Sequence, residues 1–120
     1  MTATEAAFKQ QLLERAQTAK SSLVEWRRAI HSHPELSFFE VATSQLVADS
    51  LTKMGFTVTK GIAGTGLIAE MGSGKTIIVR ADLDALPIEE HPGTEYSSRN
   101  AGVMHACGHD AHVALSLIHI

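Results

Sequence analysis

One stretch of this chain concentrates reactive side chains: Met104-His105-Ala106-Cys107-Gly108-His109-Asp110 carries a thiol, two imidazoles and a carboxylate in close succession. Thiolate sulfur and imidazole nitrogen are the usual protein ligands of zinc and related divalent metals. Gly108 lets the backbone turn so that Cys107 and His109 can face one ion. Asp110 can orient a ligand histidine or touch the metal itself. The plainer alternative is a buried free cysteine beside incidental histidines, and the mixture of donor types favours metal. A structural zinc site takes four protein ligands. No second Cys/His pair at finger-like spacing follows, so the expectation is an open, catalytic site completed from elsewhere.

Three other clusters invite chemistry. Arg80-Ala81-Asp82-Leu83-Asp84-Ala85-Leu86-Pro87 places two acids just beyond a β-branched run. Ligand sites in parallel α/β sheets form outside the carboxyl ends of strands; a solvated loop reads equally well. His31-Ser32-His33-Pro34-Glu35 has two histidines at a helix end, where capping of the last carbonyls is commoner than metal binding. Gly72-Ser73-Gly74-Lys75-Thr76 looks like a phosphate loop, but the glycine that pattern needs five residues before Gly74 is Ala69. The stretch also precedes a strand-like run, and it reads as a hairpin turn.

The elements that must position these residues follow from periodicity. Phe8, Leu12, Ala16, Ala19, Leu23, Trp26 and Ile30 recur every three or four residues, which predicts one long helix with an apolar stripe. Pro34 ends it. Ser37 and Glu40 have capping-box spacing for a second helix, with Val47, Leu51 and Met54 as its stripe and Gly55 as its stop. The period then changes. Residues 56–60 and 66–71 alternate like strands, Thr76-Ile77-Ile78-Val79-Arg80-Ala81 reads as a strand buried on both faces, and 85–104 as a long functional loop. A helix begins near Asp110. Two helices followed by strands predict an α/β domain.

Composition excludes several classes of function. The 120 residues are 44% hydrophobic and 19% charged, with a formal net charge of −3. No basic stripe suggests nucleic acid, and no apolar run is long enough to span a membrane. The N-terminus lacks the apolar core of a signal peptide, and a single cysteine rules out an internal disulfide. A reducing cytoplasm is the expected location.

Taken together, Arg27-Arg28-Ala29-Ile30-His31-Ser32-His33-Pro34-Glu35-Leu36-Ser37-Phe38-Phe39-Glu40, the block from Arg80 to Glu90, and His105-Ala106-Cys107-Gly108-His109-Asp110 resemble the amidohydrolase branch of the aminoacylase/carboxypeptidase metallopeptidases. That branch includes hippurate hydrolases, N-acyl-amino-acid amidohydrolases and auxin-conjugate hydrolases. The resemblance covers roughly residues 20–114. It implies the N-terminal, incomplete part of a cocatalytic zinc-peptidase domain, acting on an N-acyl amino acid or peptide-like substrate. Two divalent cations (zinc, manganese, nickel or cobalt) are implied, with a homodimeric or homotetrameric full-length enzyme.

Cys107 and His109 match metal ligands of the family. Asp82 matches the acid behind the metal, and His105 and Asp110 support the ligands. In the wider clan a histidine ligand stands two residues before that acid; here Arg80 does, which fits the amidohydrolase branch. The family's general base is one of a downstream Glu-Glu pair. Glu89-Glu90 has the residue types but lies upstream of the ligands, and nothing after His109 supplies such a pair. The chain alone is therefore expected to be inactive and to expose an apolar face. A carboxypeptidase or dipeptidase of the same clan is the alternative enzyme. A metal-binding module completed across a homodimer is the non-catalytic one.

Leu115-Ser116-Leu117-Ile118-His119-Ile120 is what the codons CTG-TCT-CTT-ATA-CAC-ATC encode, a string that resembles a transposon-end adapter of sequencing libraries. The expectation is a native portion at residues 1–114 and a non-native tail at 115–120, with His119 outside the ligand set.

Overall fold

The apolar stripe of the first segment builds helix α1, Ala3–Ser32, in a computed structural model that describes residues 3–91 and 93–118. The helix stops two residues before Pro34, whose ring disfavours helical geometry in the residue ahead of it. Only the second half of the stripe is used for packing. Ile30 is buried and Trp26 packs against the core, whereas Phe8 and Leu12 lie exposed. The stripe predicts the helix correctly and overstates how much of it is covered.

Helix α2, Val41–Lys53, starts later than the capping-box spacing suggests. Phe38 adopts a left-handed backbone conformation, φ 68°, which prevents a helix from running through it. Glu40 caps nothing with its side chain and instead accepts a hydrogen bond from the Thr65 hydroxyl. The cap comes from Glu35. Its carboxylate accepts from the Ala42 amide at 3.0 Å, the Thr43 amide at 2.8 Å and the Thr43 hydroxyl at 2.8 Å, satisfying donors that the helix itself leaves open. At the other end Gly55 takes φ 91° and the Phe56 amide closes onto the Leu51 carbonyl at 3.1 Å, the glycine stop expected from the sequence.

Strands β1, Thr57–Ile62, and β2, Gly66–Glu70, form a two-stranded antiparallel hairpin with a bulge between Lys60 and Ile62. Gly66 is required there, because a Cβ would sit 2.7 Å from the Ile62 carbonyl oxygen. The hairpin packs on α2. Val58, Leu67 and Ala69 cover one side of a core made by Ile30, Val47, Leu51, Val113 and Leu117. The last two come from helix α3, His109–Ile118, which lies mainly against α1. Residues 115–118 continue α3, and Leu117 is buried. His119, like Ile120, lies outside the described residues. No described helix is long and apolar enough to cross a membrane.

Helices followed by sheet strands give the α/β arrangement expected, with one correction. Residues 76–80 form no strand; Ile77 and Ile78 are 90% and 87% exposed. A strand buried on both faces needs partners at its edges and layers above and below, and the only sheet among the described residues is the β1–β2 pair. For the same reason residues 72–75 bend the chain without joining two paired strands. Removing the Glu35 carboxylate (Glu35→Ala) is expected to cost about 1–2 kcal/mol in urea unfolding, the scale of a lost N-terminal cap. Equal loss in Glu40→Ala, with none in Glu35→Ala, would return the cap to Glu40.

Candidate metal centre

The segment between α1 and α2 anchors the loops that carry the reactive residues. The Glu35 carbonyl accepts from the Ala85 amide at 2.7 Å, the Ser32 carbonyl from the Arg99 amide at 3.0 Å, and the Pro34 carbonyl from Asn100 Nδ2 at 2.8 Å. Leu86 and Met104 exchange a pair of backbone hydrogen bonds at 2.9 and 3.0 Å. Residues 82–86 are thereby held beside the turn that leads through Cys107 and Gly108 into α3. Gly108 has φ 86°, the left-handed geometry that glycine tolerates best.

His109 opens α3 with its tautomer decided by its neighbours. Nδ1 lies 2.9 Å from the Asp84 carbonyl oxygen and 3.0 Å from Asp84 Oδ1. A carbonyl only accepts, so Nδ1 carries a proton, and in the neutral ring Nε2 is the nitrogen left to ligate. Nε2 points toward Asp82, with Oδ2 at 4.0 Å. Asp84 is itself held: the Ser37 hydroxyl donates to it at 2.7 Å, and that bond, with the nearby His109, keeps its carboxyl below the usual range. Asp82 pairs with Arg80 at 2.8 Å. Cys107 is an exposed free thiol. A histidine whose far nitrogen is fixed by a carbonyl and a carboxylate is prepared for metal ligation. Among the described residues, however, no group of three or more His, Cys, Asp or Glu side chains is gathered closely enough to hold an ion. The donor chemistry fits a divalent metal; the number of donors brought together does not complete a site.

Asp110 sits one residue further, fully buried at 0% exposure. Its Oδ2 accepts from Arg27 Nε at 2.9 Å and from His31 Nδ1 at 2.7 Å. Burial alone would raise its carboxyl, but the hydrogen bonds from His31 and Arg27 outweigh it and hold the group below the usual range. His31 Nε2 reaches Glu90 Oε1 at 3.1 Å. Glu90 also accepts from the Ser98 amide, which is the main reason its carboxyl is lowered. Tyr96 closes the cluster: the Arg27 and Arg28 guanidinium carbons lie 5.3 and 4.9 Å from its ring centroid.

Sequence alone places His31 at a helix end and does not reveal that it meets Asp110. The one signal for that contact is its position in a shared motif block with Arg27. His33 behaves as a helix-end residue should, with Nδ1 3.3 Å from the Ala29 carbonyl. His105 is 4% exposed, and neither ring nitrogen has a hydrogen-bond partner. Burial pushes its pKa down, which favours the neutral ring. Glu89 and Glu90 are both engaged by backbone amides, Gly102 and Ser98 respectively. Neither is a free base.

The sign of the Asp110 effect on stability follows from its lowered carboxyl. Its contribution is present above the unfolded carboxylate value and is lost as pH falls below about 4. Asp110→Asn is expected to cost about 1–3 kcal/mol at neutral pH, because it removes the charged acceptor of Arg27 and His31, and to flatten the acid limb of a stability-pH curve. An acid limb identical to that of the unmodified chain would contradict this.

Known proteins are similar to this chain. The model of peptidase family M20/M25/M40 matches residues 78–120. Thermostable carboxypeptidase 2 of Saccharolobus solfataricus is 46% identical over 114 residues, covering 88% of this chain and 29% of the relative. N-acyl-L-amino acid amidohydrolase of Geobacillus stearothermophilus is 40% identical over 112 residues, covering 91% and 30%. The crystal structure of the Bacillus subtilis YXEP protein, a dinuclear metal binding peptidase from the M20 family, superposes with a TM-score of 0.76 at 37% identity, covering 84% of this chain and 29% of that one. The chain thus spans about three tenths of the length of these three relatives. Residues 78–120 thus match peptidase family M20/M25/M40, and most of the chain is similar to these proteins.

Proposed function

We propose that the protein carrying this chain is a metal-dependent hydrolase of the amide bond in N-acyl amino acids or related small amides. The observation that carries the reading is His109, with Nδ1 committed to Asp84 and Nε2 turned toward Asp82, two residues after the exposed Cys107 thiol. Cys107 and His109 would hold a divalent cation, one of two in the complete site, with Asp82 behind it and His105 and Asp110 supporting the loop. Such a cation, when bound, supplies a water of lowered pKa and polarises the scissile carbonyl.

The chain's own residues do the positioning. Asp84 fixes the imidazole plane, and Arg80 holds one Asp82 oxygen while leaving the other toward His109. The general base that carries the water proton to the leaving amine is assigned to a carboxylate beyond the described residues, since Glu89 and Glu90 are both occupied. The amidohydrolase choice draws on the N-acyl-L-amino acid amidohydrolase and on an IAA-amino acid hydrolase of Arabidopsis thaliana, 50% identical over 93 residues. Peptide hydrolysis from a free C-terminus is the second reading, favoured by the likeness to the carboxypeptidase.

Cobalt titration tests the centre on this chain. Co²⁺ is expected to give a thiolate charge-transfer band that Cys107→Ala abolishes, and His109→Ala should weaken binding by about tenfold or more. Turnover by this chain is expected to be negligible. In the longer enzyme, hippurate and N-acetyl amino acids should be cleaved faster than dipeptides with a free amino group. Unchanged Co²⁺ spectra in both variants would refute the ligand assignment, and the reverse substrate order would favour the carboxypeptidase reading.

A further inference from the structure

The line Glu90, His31, Asp110, Arg27 alternates carboxylates with basic side chains across three separate parts of the chain. Asp110 and Glu90 each turn a carboxylate oxygen to His31, and an ionised carboxylate only accepts hydrogen bonds. His31, 3% exposed, faces one with each ring nitrogen, Nδ1 to Asp110 at 2.7 Å and Nε2 to Glu90 at 3.1 Å. The shorter contact makes Nδ1 the donor to Asp110. The other neighbours of His31 are the Tyr96 ring edge, 5.7 Å between centroids, and the His105 ring at 6.4 Å; neither competes for that proton. What this contact does is geometric. Arg27 is more than a third exposed, so His31 is the buried donor that fixes the Asp110 carboxylate, one residue from His109.

We propose that His31 is a positioning residue of the metal centre: its Nδ1–H holds Asp110 and thereby sets the first turn of α3, on which His109 is aimed. The proposal rests on the metal-centre reading above. Asparagine places its amide nitrogen near the site of Nδ1, and glutamine near that of Nε2, so the two variants separate positioning from packing. In Co²⁺ titrations of the full chain, His31→Asn should stay within about threefold of the unmodified protein. His31→Gln should weaken binding by about tenfold or more, the scale seen when partners of metal ligands are removed. Equal affinities for the two variants would overturn the proposal.

Ring ¹⁵N–¹H spectra of the unmodified protein supply an arm independent of metal and of variant folding. His31 should show a protonated Nδ1, and so should His109. A His31 with a bare Nδ1 overturns the proposal even if Co²⁺ binds. Absence of Co²⁺ binding with His31 Nδ1 protonated would sink the metal-centre reading, and with it the positioning role, while leaving the hydrogen bond to Asp110 in place.

Discussion

A carboxylate with no access to water must be given donors or lose its charge, and Asp110 meets that demand through one oxygen, Oδ2, while Oδ1 has no hydrogen-bond partner among the described residues. The two donors to Oδ2 come from the last turns of α1, 83 and 79 residues away in sequence. Tying them to the first turn of α3 fixes where that helix begins. Everything of chemical interest hangs from that beginning: His109 is the first residue of α3, Gly108 is the turn before it, and Cys107 precedes the turn. The apolar contacts of Ile30 with Val113 and Leu117 hold the helices together along their length. A surface of that kind tolerates sliding; a hydrogen-bonded carboxylate does not.

Several features are legible in the sequence because the rules behind them are local. The period of α1, the proline stop, the glycine stop of α2 and the left-handed Gly108 each depend on a few neighbouring residues. The cluster of His105, Cys107, His109 and Asp110 and the acid Asp82 stand out by residue type and spacing, and the parts expected of them come from the family resemblance. The partners of those residues are not. That Glu35 rather than Ser37 or Glu40 caps α2, that Asp84 fixes the His109 tautomer, and that His31 serves Asp110 all depend on contacts between segments distant in sequence, and spacing carries no information about them. The run at residues 76–81 departs from its expected strand for a related reason. Its β-branched residues describe a side chain fit for a sheet interior, and the strands that would flank it are not among the described residues.

That departure bears on the site. Residues 76–80 lead directly into Asp82 and Asp84. Asp84 is held by Ser37 and His109, whereas Asp82 is tethered only to the exposed Arg80 and stands 4.0 Å from His109. The loosest acid follows the least supported segment. An oriented imidazole, a nearby thiol and an acid standing just out of hydrogen-bond reach are the groups from which the proposed metal centre would be built.

X-ray absorption at the zinc edge of the zinc-loaded protein examines the central claim most directly, because it reads the donor atoms themselves. A thiolate and an imidazole predict one sulfur at about 2.3 Å together with nitrogen at about 2.0–2.1 Å. A shell of oxygen and nitrogen alone, with no sulfur, would contradict the assignment of Cys107 and His109 as the two ligands this chain provides.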